Sequence, residues 1–214
     1  MLVEERMSAP VISTSPNTPI LDALQMMQEQ DIRRMPVMKD GKLMGIISDR
    51  DLLNASPSGA TSLSVWEINY LMSRIKVADV MTSDVMTVDH DTPIEEAARM
   101  MADNKIGGLP VTRNGRVIGI ITETDLFKIL LELMGARENG VRLTAVVEDR
   151  PGELAALTEA ITGAGGSFVS FGQFAGDDTD TRIVTFKVVG VEEAEARAAI
   201  EHLVSHVSDV RRSG

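Results

Sequence analysis

The sequence predicts an α+β fold in which two similar units form a pseudo-twofold pair and a smaller βαββαβ unit follows. Residues 7–52 align without a gap on residues 81–126, an offset of 74, with 17 identical residues among 46 positions. A repeat of only two copies favours units that bury one face of each against the other. After Gly135 the order of predicted helices and strands changes, so a different unit begins there.

Composition narrows the class of protein. The chain has 214 residues, 43% of them hydrophobic and 25% charged, which allows two or three small packed domains. Its net charge of −11 argues against general binding to nucleic acid or to anionic membranes. The absence of cysteine excludes disulfides, thiolate metal sites and a cysteine nucleophile. Residues 1–7 lack a signal peptide's basic start, and no stretch approaches the ~18 apolar residues of a membrane span. We expect a cytoplasmic protein.

Each repeat is predicted as an extended lead-in, a helix, two strands and a second helix. The lead-ins are Val11–Thr14 and Val85–Val88. Thr-Pro pairs at 18–19 and 92–93 join an N-cap residue to proline in the first helical turn, and apolar residues then recur at helical spacing. Asp-Gly at 40–41 and Asn-Gly at 114–115 predict tight hairpin turns. The hairpin strands are Met35–Met38 with Leu43–Ile47 and Leu109–Thr112 with Val117–Ile121, and the second helices begin near Asp49 and Glu123.

The segment between the repeats contains the chain's only Trp and Tyr. We predict a helix over Ser62–Arg74 that packs on the pair through Leu63, Trp66, Tyr70 and Leu71, because exposed aromatic side chains in a free linker are costly. The resulting domains are a first repeat over 1–60, a helical linker over 61–78, a second repeat over 79–135 and a third unit over 140–214.

The third unit is predicted to be ferredoxin-like. Its helices are expected to begin near Leu154 and to span Glu192–Val204, with Gly163–Gly166 ending the first helix. Its strands are expected at Val141–Val147, Ser167–Phe174, Thr181–Val189 and His206–Val210. This βαββαβ order is the ferredoxin-like order.

Two equivalent motifs carry the candidate chemistry. Ser48–Asp51 and Thr122–Asp125 each place a hydroxyl three residues before a carboxylate, where an apolar strand ends and a helix begins. Such a site could offer a hydroxyl to a phosphate and a carboxylate to the diol of a ribose. The same spacing is that of a capping box, which needs no ligand. The sequence leaves both interpretations open.

The two repeats differ in charge beside these motifs. Repeat one has Arg33, Arg34 and Arg50 where repeat two has Gly107, Gly108 and Thr124. Guanidinium groups suit phosphate, so the sites around the two motifs are predicted to differ in affinity or in ligand. The alternative is that these arginines are solvated or pair with Asp31 or Asp49, which contributes under ~1 kcal/mol for exposed pairs.

The repeated pattern resembles a tandem pair of CBS domains, a Bateman module. The residues that carry the resemblance are an apolar-Pro-Val strand, an Asp-Gly or Asn-Gly turn, and Gly-Ile-Ile-[Ser/Thr]-x-x-Asp-Leu, each present twice between Met7 and Leu131. The resemblance implies that clefts between the repeats bind AMP, ADP, ATP or S-adenosylmethionine as regulatory ligands, with no obligatory cofactor.

The same resemblance implies roles for individual residues. Asp51 and Asp125 would hold ribose hydroxyls, and Ser48 and Thr122 would hold phosphate. Each cleft would mix the repeats, joining Asp51 to the Thr87 and Leu109 side and Asp125 to the Ser13 and Met35 side. The residues implied to border the base and phosphate are Ile12, Ser13, Met86 and Thr87, and those implied to supply backbone contacts and apolar walls are Arg33, Arg34, Met35, Pro36, Gly107, Gly108, Leu109 and Pro110.

The third unit resembles an ACT domain over Arg142–Arg212. The resemblance lies in Glu148-Asp-Arg-Pro-Gly-Glu-Leu-Ala155, at the turn between the first strand and first helix. It implies an amino-acid site, often at a dimer interface, with the helix start facing a carboxylate. The residues concerned are Asp149, Arg150, Pro151, Gly152, Glu153 and Leu154. The alternative is a tight turn required by the fold, in a unit that pairs without a ligand.

No enzyme motif is evident. The sequence lacks a nucleophile with a positioned base, a P-loop and a GxGxxG pattern, and its three histidines do not form a convincing metal site. We therefore predict a non-enzymatic regulator. Two CBS units before an ACT unit resemble the acetoin-utilization (AcuB-type) family, which implies a prokaryotic homodimer linked to carbon metabolism, with an unidentified effector protein. The alternatives are a constitutive dimeric scaffold without ligand sensing and, less favoured, a hydrolase or transferase that uses a bound nucleotide.

Overall fold

The computed structural model describes residues 1–55, 64–176 and 178–213. Ser62 and Leu63, at the start of the predicted helix between the repeats, lie outside these residues. The chain divides into two compact units, Met1–Leu126 and Phe127–Gly214, and the boundary falls inside a helix. Among the described residues, no helix is long and apolar enough to cross a membrane.

The first unit contains both repeats. The first repeat forms a two-stranded antiparallel sheet, and the second forms a three-stranded sheet in which the added strand is parallel to its neighbour. In repeat one and the segment after it the elements are α1 (Ile20–Glu29), β1 (Arg34–Lys39), β2 (Lys42–Ser48), α2 (Asp49–Asn54), α3 (Val65–Met72) and α4 (Val77–Val80). In repeat two they are β3 (Val88–Asp89), α5 (Ile94–Asn104), β4 (Gly108–Arg113), β5 (Arg116–Thr122) and α6 (Glu123–Leu133).

The two hairpins have the same backbone geometry. Asp40 and Gly41 have φ of 50° and 76°, and Asn114 and Gly115 have φ of 52° and 74°. Two consecutive positive φ values define the hairpin turn that Asx-Gly favours, so the predicted turns are confirmed. The strand register also shifts at equivalent places, between Val37 and Met38 and between Val111 and Thr112. The repeat is therefore conserved in backbone detail as well as in sequence.

Each repeat is completed by the segment that precedes the other one. Met1–Ser8 docks on repeat two, where Val3 N donates to Thr92 O at 2.9 Å and Ser8 N donates to Ile120 O at 2.9 Å. Residues 75–82 make the equivalent bonds to repeat one, from Val77 N to Thr18 O and from Thr82 N to Ile46 O, each at 2.9 Å. Val3 and Val77 are fully buried in the two cores. The exchange ties the two repeats together through backbone hydrogen bonds.

The helix between the repeats does not pack as predicted. It spans Val65–Met72, but Trp66 is 86% exposed and Tyr70 is 55% exposed. Met72 makes the buried contact with the core of repeat one from another face of the helix, since six residues at 100° per residue place Trp66 and Met72 about 120° apart. The expectation that the aromatic side chains pack on the pair was therefore wrong. The Arg74 guanidinium lies 4.7 Å from the centre of the Tyr70 ring.

The second unit contains a four-stranded antiparallel sheet. Its elements are β6 (Gly140–Glu148), α7 (Glu153–Gly163), β7 (Ser167–Ala175), β8 (Thr181–Val189), α8 (Glu193–Ile200) and β9 (His206–Ser213), and the strand order is β7-β8-β6-β9. Alternate residues of β6 are buried, as expected for a strand with one face on a core. The second helix ends at Ile200, shorter than predicted, because a turn and the final strand begin soon after it.

Candidate functional site

A cleft of about 990 Å³ opens in the first unit, a volume typical of small-molecule sites. Both repeats contribute to it. Repeat one supplies Arg33, Arg34, Ile46, Ile47, Ser48, Asp49, Arg50, Asp51, Leu53 and Asn54, and the other side supplies Thr82, Asp84, Val85, Met86, Asn104, Lys105, Ile106, Gly107, Gly108 and Glu123. We call it the Asp51 cleft. The predicted mixing of the two repeats around Asp51 is present, with Met86 rather than Thr87 lining the cleft.

Strand β2 ends at Ser48, which is also the N-cap of helix α2, and Asp51 lies in the first turn of that helix. The Ser48 backbone N donates to Asp51 Oδ2 at 2.9 Å, and Ser48 Oγ donates to the same oxygen at 2.6 Å. The Asp51 backbone N in turn donates to Ser48 Oγ at 3.3 Å. This is the capping box that the sequence allowed. The cap uses Oδ2, so it does not occupy Oδ1, and Asp51 is only half-buried.

The equivalent motif in repeat two has the same geometry but less access to solvent. Thr122 N and Oγ1 donate to Asp125 Oδ2 at 2.9 and 2.7 Å. Asp125 is 8% exposed. The two caps are therefore matched, and they differ in how far the carboxylate can be reached.

Arg34 lies against the backbone of the other repeat. A Cβ atom added to Gly107 would stand 2.4 Å from Arg34 Nη2, and one added to Gly108 would stand 2.8 Å from Nη1. Glycine at these positions makes room for the guanidinium group. Burial lowers the pKa of Arg34, against the opposing effects of Glu123 and Asp49. The Arg-Arg to Gly-Gly difference between the repeats is thus a complementary contact rather than two unrelated substitutions.

The predicted binding residues separate into three groups. Eight of them line the Asp51 cleft: Arg33, Arg34, Ser48, Arg50, Asp51, Met86, Gly107 and Gly108. The strand residues Met35 and Leu109 are fully buried in the cores, and Pro36 and Pro110 are also buried, so their side chains serve packing. Ile12, Ser13, Thr87, Thr122 and Asp125 lie outside the residues that line this cleft.

The sequence analysis missed several lining residues. Asn104 and Lys105 line the cleft although no motif marks them, and Glu123 lines it from within the Thr122–Asp125 motif. The repeat alignment could have singled out Lys105, because under the offset of 74 it occupies the position of Asp31 and so reverses a charge between the repeats. The same offset matches Val3 with Val77 and so indicates that the repeat begins upstream of Met7.

A second, smaller cavity of about 400 Å³ lies in the second unit at the turn before α7. The six predicted residues from Asp149 to Leu154 line it, together with Gln173 and Arg182. Its cations are already paired: Arg150 with Glu148 at 2.9 Å and with Glu153, and Arg182 with Asp149 at 2.6 Å. Within the ranges that the structure covers, no group of three or more His, Asp or Glu side chains could hold a metal ion.

Comparison with known families adds to this geometry. The CBS domain model matches residues 3–58 and 77–132, which together exceed half of the chain. The chain belongs to the CBS-domain family. The first matched segment starts at Val3, in agreement with the reciprocal docking of the N-terminal segment.

Three solved structures illustrate the similarity. A Vibrio cholerae protein assigned to acetoin utilization (AcuB) is 32% identical, covers 64% of this chain and 96% of its own, and has a TM-score of 0.53. CBSX2 of Arabidopsis thaliana, solved in complex with AMP, is 32% identical over 62% of this chain and 97% of its own, with a TM-score of 0.52. The CBS pair of protein MJ0100, in complex with 5′-methylthioadenosine and S-adenosyl-L-methionine, is 27% identical over 61% and 95%, with a TM-score of 0.51.

Proposed function

We propose that this chain is a non-enzymatic regulatory protein that binds an adenosine-containing ligand in the Asp51 cleft. The observation that carries the proposal is that both repeats line one cleft of about 990 Å³ around the Ser48–Asp51 motif. The complexes of related CBS proteins with AMP and with 5′-methylthioadenosine and S-adenosyl-L-methionine support the same ligand class.

The side chains of the cleft suit the parts of such a ligand. Asp51 Oδ1, which the helix cap does not use, can accept hydrogen bonds from ribose hydroxyls. Ile46, Val85 and Met86 offer apolar contacts to a purine ring, and Arg50 offers a planar set of donors to phosphate. The cap and the ligand would therefore share one carboxylate.

Regulation would follow from the position of the ligand between the repeats. A ligand held by both sides stabilises the arrangement of the repeats to which it binds more tightly, and its effect is bounded by that difference in affinity. Couplings of this kind are typically about 1–3 kcal/mol. The exchanged segments, each of which precedes one repeat and is hydrogen-bonded to the other, limit the motion to small rearrangements rather than separation.

Calorimetric titration of the full chain with AMP, ADP, ATP, 5′-methylthioadenosine and S-adenosylmethionine tests the proposal. We expect at least one ligand to bind, and Asp51→Ala to abolish its heat of binding. Asp125→Ala is the matched control, because it removes the equivalent cap at a carboxylate that does not line the Asp51 cleft. Loss of a cap costs about 1 kcal/mol, which chemical denaturation of both variants measures separately.

The competing function is a constitutive dimeric scaffold. It predicts no heat with any of the five ligands and no difference between Asp51→Ala and Asp125→Ala beyond their stability. A third outcome, hydrolysis of ATP by the purified chain, would contradict the non-enzymatic assignment. The titrations distinguish ligand sensing from the scaffold, and a phosphate-release assay detects hydrolysis.

For the second unit we infer an ACT-like domain that pairs two chains. The strand order β7-β8-β6-β9 with helices after the first and third strands supports this inference. Arg150 and Arg182 are already ion-paired within the chain, so neither is open to the carboxylate of an amino acid. Dimer formation is therefore favoured over amino-acid binding. Light scattering should give the mass of a dimer, and a panel of amino acids should leave the melting temperature unchanged. A monomer, or a shift with one amino acid, would contradict this inference.

The cellular context is a further part of the proposal. Similarity to the Vibrio cholerae AcuB protein supports a cytoplasmic role in the control of carbon metabolism, exerted on an effector protein. Affinity capture with and without the bound ligand, compared with the Asp51→Ala variant, tests it. A partner whose capture depends on the ligand and on Asp51 supports the role, and capture that ignores both contradicts it.

A further inference from the structure

The positions that line the Asp51 cleft can be compared with the equivalent positions around Asp125, because the repeats align at one offset and share their hairpin geometry. Two lining positions reverse or remove a charge. Lys105 of the Asp51 cleft corresponds to Asp31, and Arg50 corresponds to Thr124. Two changes act the other way, since Asp84 corresponds to Pro10 and Asn54 corresponds to Lys128. The Asp51 cleft is therefore more positive than the equivalent positions around Asp125 by one charge.

The local fold does not explain the lysine. Lys105 ends helix α5 in the left-handed conformation, with φ of 55° and ψ of 40°, and Asp31 has the same kind of backbone with φ of 50°. This conformation favours glycine, asparagine or aspartate over other residues. Lys105 is also exposed, so it makes no contribution to a core. Neither the backbone conformation nor core packing therefore requires a lysine at this position.

Arg34 does not contribute to the difference in charge between the Asp51 cleft and the positions around Asp125. It contacts Gly107 and Gly108 across the pair, and it faces acidic groups from both repeats, Asp49 and Glu123. The difference in charge therefore depends on Lys105 and Arg50, whose counterparts are an acid and a neutral hydroxyl.

We propose that the Asp51 cleft selects adenosine ligands that carry phosphoryl groups over uncharged or cationic ones, with Lys105 and Arg50 as the specificity-determining side chains. Phosphoryl oxygens gain from both cations, whereas the neutral thioether of 5′-methylthioadenosine and the sulfonium of S-adenosylmethionine do not. The positions around Asp125, which carry Asp31 and Thr124, disfavour the same phosphoryl groups. This inference rests on the proposed function and deepens it.

The test is a pair of titrations on the full chain, with ATP and with 5′-methylthioadenosine. The variant is Lys105→Asp, which introduces the residue that repeat one already holds in the same backbone conformation and so should keep the fold. We expect the Kd for ATP to rise by about tenfold or more, the result of reversing one charge next to a phosphoryl group, and the Kd for 5′-methylthioadenosine to change by less than about twofold.

Lys42→Asp is the matched control, because it makes the same change in net charge at an exposed strand position outside the cleft. It should leave both Kd values unchanged. Equal affinity of the native chain for both ligands, or an equal effect of Lys105→Asp on both, would overturn the selectivity while leaving adenosine binding intact. Absence of binding by both ligands to the native chain would instead overturn the proposed function, and the two failures are therefore distinguishable.

Discussion

The two repeats are nearly identical in backbone and different in charge. They share the hairpin turns, the register shifts, the helix caps and the reciprocal hydrogen bonds of the exchanged segments. They differ at the cleft, where Arg34 faces Gly107 and Gly108 and Lys105 stands at the position that Asp31 holds in repeat one. The comparison teaches that the duplicated fold is maintained by the positions that pack or cap, while the positions that face the cleft are free to diverge toward different ligands.

The largest effect should come from the exchanged valines. Val3 and Val77 are fully buried in the cores of repeat two and repeat one, respectively. Replacing either with alanine should lower the free energy of unfolding by about 2.5 kcal/mol, through lost apolar burial and the cavity left behind. Urea denaturation measures the loss.

The region that each valine substitution destabilises tests whether the N-terminal segment docks on repeat two and residues 75–82 dock on repeat one. Hydrogen exchange should speed up first in residues 88–122 for Val3→Ala and first in residues 34–52 for Val77→Ala. Each variant is the control for the other. Faster exchange confined to the sequence neighbours of the mutated residue would contradict the reciprocal docking.

A smaller effect of opposite sign is expected at Thr14. Its Oγ1 is buried without a hydrogen-bond partner among the described residues, and repeat two has Val88 at the equivalent position, 4% exposed. Thr14→Val should raise the free energy of unfolding by about 1 kcal/mol, because an unsatisfied hydroxyl is replaced by a methyl group. The reverse change, Val88→Thr, should destabilise by a similar amount. Thermal denaturation measures both, and a loss of stability in Thr14→Val would show that the hydroxyl is satisfied.

The smallest effect should come from an ion pair that only one repeat has. Arg113 pairs with Glu4 across the N-terminal docking site, whereas the equivalent positions hold Lys39 and Ala78. Glu4→Gln should cost about 0.5 kcal/mol at low salt and less at high salt, since the pair is partly exposed. Ala78→Glu, which adds the acid to repeat one, is the reciprocal test. A cost that does not change with salt would assign Glu4 a role in packing.

Local patterns were sufficient to predict most of the fold. Asx-Gly at 40–41 and 114–115, the Thr-Pro helix starts and the alternation of apolar residues each act within a few residues, so they can be recognised in the sequence. The exchange of the N-terminal segment could not be found this way, because it depends on hydrogen bonds between residues about 90 or more apart, such as Val3 with Thr92. The packing of Trp66 was mispredicted because apolar residues lie on more than one face of its helix, and the sequence does not indicate which of these faces packs on the core.

The site residues that belong to the repeated pattern could be predicted from the sequence. Ser48, Asp51 and Gly107 were identified from the motif and its resemblance, and they line the cleft. Met35 and Leu109 were included because the resemblance implies backbone contacts and apolar walls from the strand starts, but their side chains lie in the cores, on the buried face of an alternating strand. Lys105 was missed because it belongs to no motif and reaches the cleft from the end of a helix.

The most direct test is a crystal structure of the full chain soaked with ATP. We predict density for one nucleotide in the Asp51 cleft, with the ribose hydroxyls within hydrogen-bond distance of Asp51 and the phosphates beside Lys105 and Arg50. Density beside Asp125 with the Asp51 cleft empty, or a nucleotide whose phosphates point away from both cations, would contradict this account.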